Sequence, residues 1–176
     1  AGIGDVDQDG FDDLLIGAPS YGQPTPTIQL TSTSVIWTDV GDLDADGDVD
    51  IAVTRGDSKL TTLFNVGGGS FVSIDYSTPQ NVRDVYLRDV DGDLDLDAIV
   101  AGVGNGSIFV FENQIGGLLS PPTSVSLVEE FLVISPADMD GDGDIDLAAV
   151  NYEPSTAVGG NFLYVLMNDG LGSFSP

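Results

Sequence analysis

Four short windows of this chain hold most of its acid side chains, and they hold them at one spacing. Carboxylates stand at loop positions 1, 3, 5 and 9: Asp5, Asp7, Asp9 and Asp13; Asp42, Asp44, Asp46 and Asp50; Asp89, Asp91, Asp93 and Asp97; Asp138, Asp140, Asp142 and Asp146. Position 7 adds a backbone carbonyl, from Phe11, Asp48, Asp95 and Asp144. Twenty aspartates fall inside these windows, out of 29 Asp and Glu in the chain. Glutamate is nearly absent, so the acidity is a local device and not a solubilising coat.

Oxygen donors at alternate positions of a tight loop can converge on one point. Calcium takes six to eight oxygens and tolerates irregular geometry, whereas magnesium demands a stricter octahedron. Three carboxylates, the position-7 carbonyl and the position-9 carboxylate nearly fill a calcium shell. Without a cation such a loop opposes itself. Two carboxylates about 5 Å apart repel by roughly 3 kcal/mol at an effective dielectric of 20. Up to four calcium ions are therefore expected, one per loop.

An EF-hand needs a carboxylate at position 12. Here position 12 is Ile16, Val53, Val100 or Ala149, all apolar. The loop closes at position 9 and runs straight into an apolar segment. Position 6 is glycine in three loops (Gly10, Gly47, Gly143) but Leu94 in the third. If position 6 needs positive φ, leucine costs roughly 1–2 kcal/mol there. The 89–97 site is expected to be distorted or weaker.

Composition removes other chemistries. The chain has 176 residues, a net charge of −25, no Cys and no His. That leaves no thiol nucleophile, no His-based triad, no zinc centre and no disulfide. Four basic residues cannot form a phosphate-binding footprint, so nucleic acid and anionic membrane surfaces are not expected partners. No apolar run approaches the roughly 18 residues of a membrane helix. A glycosidase-like carboxylate pair needs two acids in different environments across a cleft, and these clusters are repeats with ligand spacing, so no catalysis is expected.

The elements that must carry the loops repeat with them. The windows start at residues 5, 42, 89 and 138, with repeat units of about 1–30, 31–78, 79–127 and 128–176. Each of the last three units has an apolar stretch before its loop (Val35–Trp37, Val85–Leu87, Phe131–Ile134). Another follows the loop, and a third ends in asparagine: Asn65, Asn113 and Asn168. A glycine-rich turn and a large apolar residue complete the unit. The segments favour Val, Ile, Phe and Tyr, with no 3.6-residue period, so they are expected to be strands. Four short strands in about 47 residues suggest one blade of a β-propeller. The expectation is one all-β domain over 1–176, either a closed four-bladed ring or a segment of a larger propeller or array. Both ends are out of phase with the repeat, which suits either arrangement.

The pattern D-x-D-x-D-G-x-x-D followed by an apolar strand resembles the calcium loop of FG-GAP repeats, as in integrin α-chain propellers. The stretch from Asp9 to Pro19 carries the likeness most closely, and the other units are similar to the related VCBS repeats of bacterial surface proteins. The resemblance implies propeller blades that carry calcium between their first and second strands. Sites of extracellular-type affinity, about 10⁻⁴–10⁻³ M, fill only where calcium is abundant. A secreted or cell-surface protein is therefore expected. Its function is expected to be non-catalytic, mediating adhesion or ligand binding, with a protein or carbohydrate as the ligand. The alternatives are a self-associating subunit of an extracellular array or fibre, and an accessory domain of a larger secreted enzyme.

Lesser motifs have plainer readings. Arg55-Gly-Asp-Ser58 matches an adhesion tripeptide but is expected to be a hairpin turn. Asn105-Gly-Ser107 is a glycosylation sequon, and Trp37 is expected in the core and not as a carbohydrate platform.

Overall fold

The computed structural model describes residues 35–103, 106–126, 131–151 and 162–175. Among these residues there is no helix. The strands form three four-stranded antiparallel sheets and one small hairpin.

The first sheet is a meander of β1 (Val35–Gly41), β2 (Asp50–Arg55), β3 (Lys59–Asn65) and β4 (Phe71–Ser77). The second comprises β5 (Val82–Arg88), β6 (Asp97–Gly102), β7 (Ser107–Phe111) and, after the separate hairpin of β8 (Asn113–Gln114) and β9 (Leu118–Leu119), β10 (Thr123–Ser126), which pairs with β7 at its edge. The third is β11 (Phe131–Ala137), β12 (Asp146–Asn151), β13 (Leu163–Asn168) and β14 (Phe174–Ser175). Every acidic loop described joins the first strand of a sheet to the second, as the repeat predicts. Position 9 is always the first residue of that second strand, as in Asp50, Asp97 and Asp146.

The sheets pack face to face, and this explains the continuous apolar runs. A strand covered on one face alternates apolar with polar, whereas one covered on both reads apolar throughout. β4 alternates from Ser73 onward, while β2 and β6 are buried along their whole length. Along β6 the side chains are shared out. Ala98 and Val100 join a core with Leu43, Ala52, Leu60 and Phe64 of the first unit. Ile99 and Ala101 join the core that holds Ile134, Leu147, Ala149 and Leu166 of the third sheet. The fully buried Ile99 contributes roughly 1.5–3 kcal/mol by removal from water.

Two expectations need adjusting. Trp37 is not a core residue: it is 43 % exposed and tilts against Tyr86, with ring centroids 6.5 Å apart. It sits just past an irregularity in the β1–β2 register, at the open start of the strand. The described residues form three packed sheets and show no closed ring. The unit at 1–30, with the loop from Asp5 to Asp13, lies outside them.

Candidate metal centre

Each described loop is built by its own aspartates turning the backbone. Position 3 accepts the N–H of position 5: Asp44 from Asp46 at 3.3 Å, Asp91 from Asp93 at 3.2 Å and Asp140 from Asp142 at 3.1 Å. Position 5 accepts the N–H of position 7, so Asp46, Asp93 and Asp142 hold Asp48, Asp95 and Asp144 at 2.8, 2.9 and 3.0 Å. Position 1 reaches across the loop to the N–H of position 6. Asp42 accepts from Gly47 at 3.0 Å, Asp89 from Leu94 at 3.0 Å and Asp138 from Gly143 at 3.2 Å. Short side chains that bond to backbone two residues on favour such turns over regular structure.

The turns gather three carboxylates at one place. Asp42, Asp44 and Asp50 bring one oxygen each to within 4.8 Å of the others, as do Asp89, Asp91 and Asp97, and Asp138, Asp140 and Asp146. These are positions 1, 3 and 9. The position-5 carboxylates lie beside these triads in sequence and commit one oxygen to position 7, leaving the other.

Position 9 is the fixed point of the site. Asp50, Asp97 and Asp146 are buried, and each accepts two backbone N–H groups. One comes from position 2 of its own loop: Leu43 at 2.8 Å, Val90 at 3.0 Å and Met139 at 2.9 Å. The other comes from the asparagine at the end of the third strand or just past it: Asn65, Asn113 and Asn168, all at 2.8 Å. A buried carboxylate is tolerated only when so bonded.

The donor set fits a hard dication. Every group is oxygen, as calcium requires. The Oδ1 of Asp42 is buried and has no hydrogen-bond partner among the described residues. Burial pushes the carboxyl of Asp97 up to about 6, against the two N–H groups that favour its charge, with Asp91 and Asp93 adding repulsion. Burial likewise raises Asp50. Asp44 and Asp91 are raised by burial and by neighbouring carboxylates. A cation among these oxygens would remove that mutual repulsion.

The 89–97 loop is not distorted. Its triad converges as the other two do. Leu94 takes positive φ, at 78°, as Gly47 does at 96° and Gly143 at 102°. Its side chain points to water, 88 % exposed. The cost of leucine falls on the backbone and leaves the ligands in place. Position 4 has the same demand: φ is 61° at Ala45, 78° at Gly92 and 85° at Gly141. Sequence reasoning missed that second left-handed position.

It also missed what the repeated asparagine does. The Asn113 amide donates to the carbonyl of Leu43, in the loop of the preceding unit, at 2.8 Å. It also donates to the carbonyl of Leu96 in its own loop, at 3.0 Å. Asn168 repeats this with Val90 at 2.8 Å and Ile145 at 3.2 Å. The available signal was the asparagine recurring at the end of each third segment.

The adhesion-like tripeptide is a structural turn. Arg55 is buried and pairs with Asp57 and Asp75, both at 2.9 Å. The sequon residue Asn105 lies outside the described residues.

Acidic loops repeated between the first and second strands of stacked four-stranded sheets define a class of all-β repeat protein. The FG-GAP-like repeat model matches residues 42–100 and 89–149, and the FG-GAP repeat model matches residues 1–37. The chain belongs to the FG-GAP repeat family. No significant match is found among curated proteins.

Proposed function

We propose that this chain is a non-catalytic β-propeller module, stapled by calcium at its blade loops, within a secreted or cell-surface protein. The observation that carries the reading is the carboxylate triad built three times over at the same place in the repeat. Calcium bound there supplies positive charge at the point where three carboxylates and the start of a buried strand meet. The aspartates orient it, and position 9 ties it to the core.

Several observations support the coarser parts of the proposal. FG-GAP repeats are typical of extracellular proteins, and among the described residues no helix is long and apolar enough to cross a membrane. The outer face of the third sheet exposes Val133, Val150 and Leu163 in one register row, with Val165 beside them. The second sheet covers such a face on each of its neighbours, so a further blade in the same stack would cover this one. Adhesion or ligand binding is the role we assign to the module. A structural subunit of an extracellular array is the second reading, favoured by that open apolar face.

Thermal melting with calcium and with excess chelator tests the stapling. A ligand at 100 times its Kd stabilises by about 2.7 kcal/mol per site, so three filled sites should shift the melting temperature by well over 10 °C. An unchanged melting temperature would overturn the proposal. Magnesium at the same concentration should give a smaller shift.

A further inference from the structure

The hydrogen bonds that hold the candidate sites do not end at each site. The Leu43 N–H donates to Asp50, and the Leu43 carbonyl accepts from the Asn113 amide. The Asn113 backbone N–H donates to Asp97, which accepts in turn from the N–H of Val90. The Val90 carbonyl accepts from the Asn168 amide, and the Asn168 N–H donates to Asp146. Asp146 closes the path on Met139. A continuous chain of bonds, most of them buried, thus runs from one position-9 aspartate to the next, across both sheet-to-sheet junctions.

The bonds fall where they can matter. The Leu43 carbonyl belongs to the peptide unit that leads into Asp44, and the Leu96 carbonyl to the unit that leads into Asp97. Asn113 therefore fixes the peptide planes ahead of a position-3 ligand in one loop and a position-9 ligand in the next. Asn168 does the same for Asp91 and Asp146 through Val90 and Ile145. The turn after β8 presses on the same joint: a Cβ on Gly117 would lie 2.5 Å from Phe64 and 3.1 Å from Cβ of Asp44. Interiors this close-packed change between discrete arrangements and do not deform smoothly.

We infer that Asn113 and Asn168 are positioning residues that couple neighbouring cation sites, so that filling one loop raises the affinity of the next. The inference rests on the calcium reading above. Binding at one site orders its position-2 peptide, which sets the asparagine, which orders the adjacent loop. Coupling through such an element is typically worth a factor of about 5 to 150 in affinity, and it is reciprocal.

The test uses the whole chain and calcium alone. Each site is followed by the amide resonance of its position-6 residue, Gly47, Leu94 or Gly143, during a calcium titration. Asp142→Ala should silence the 138–146 site while leaving every relay atom in place. The Leu94 midpoint should then rise by about fivefold or more, and the Gly47 midpoint by less. In Asn168→Ser the same silencing should leave the Leu94 midpoint where it stands. Calcium uptake with midpoints indifferent to Asp142→Ala would overturn the coupling while leaving the metal reading intact. No uptake at any loop would overturn both. Should Asn168→Ser not fold, the graded response of Leu94 and Gly47 to Asp142→Ala decides the matter, because independent sites would shift neither.

Discussion

The junction between the first and second sheets and the junction between the second and third are built from different side chains around one constant element. At the first, Phe64, Phe109 and Phe111 stand among the aliphatic core side chains; at the second the buried core is aliphatic but for Phe174, with Ile99, Ile108, Ile134 and Leu147. At the first, Asp39 accepts the N–H of Leu87 at 2.9 Å and pairs with Arg88 at 3.1 Å. At the second, the more deeply buried Asp84 accepts from Ile134 at 3.4 Å, with Arg83 3.7 Å away. The asparagine bond to the preceding loop is 2.8 Å in both. Packing can be met by many apolar sets of the right volume. The bond to a loop carbonyl has one geometry, and the repeat holds to it.

Asp97 lies between the two junctions, and replacing it should break both. Asp97→Ala leaves the buried N–H groups of Val90 and Asn113 without acceptors, at about 1–3 kcal/mol each, and removes a candidate ligand. A loss of about 4 kcal/mol is expected in denaturant unfolding with calcium present. Asp146→Ala touches one junction only and should cost less. Asp169→Ala, at an exposed turn where Asp169 caps Leu171 and Ser173, should cost under about 1 kcal/mol. Equal losses for Asp97 and Asp169 would show that position 9 has no special place.

The loops differ between the junctions in where they carry strain. The 42–50 loop has Ala45 at positive φ, the 89–97 loop has Leu94, and the 138–146 loop has glycine at both such positions. Leu94→Gly should stabilise the protein by up to about 1 kcal/mol, since relief of a left-handed leucine outweighs the entropy of glycine in the unfolded chain. Gly143→Leu should destabilise it by about 1–2 kcal/mol. In both variants the calcium affinity of the altered site should change little, because Leu94 already donates to Asp89 as Gly143 does to Asp138. A large change in affinity at unchanged stability would place the cost on the ligands instead.

Much of this was legible in the sequence, for physical reasons that can be named. Alternate aspartates followed by an apolar run specify both a turn and the strand that it launches, so each described loop and the start of its second strand could be placed to within one residue. Strands buried on both faces, such as β6, read as unbroken apolar runs, which marked them as strands but not the sheets they pack against. The fate of Trp37 was not legible, because a large apolar side chain gives no sign of which strand end lies open. The positive φ at position 4 was hidden by Ala45, which tolerates that region poorly and gives no hint of it. The asparagine latch was visible as a repeat but not as a contact. Its partner lies 70 residues away for Asn113 and 78 for Asn168, and no local spacing reports a bond that long.

The smallest expected effect separates the two junctions by charge. Burial raises the Asp84 carboxyl above the usual range, and the Ile134 N–H and the Arg83 guanidinium only partly offset it. The folded-state pKa is thus above the unfolded one. Folding is favoured most below the unfolded value, and that contribution is lost as pH rises through the folded value. Asp84→Asn keeps an oxygen to accept from Ile134 and removes the buried charge. At pH 7 it should be slightly more stable than the unaltered chain in denaturant unfolding, by less than the gain from Leu94→Gly. That gap should close as pH falls towards 4, with Tyr86, whose pKa is raised by burial, uncharged throughout. Asp39→Asn, at the less buried junction with its closer Arg88, should lose stability instead at pH 7. If both variants shift in the same direction by the same amount, the junctions do not differ in how they hold charge.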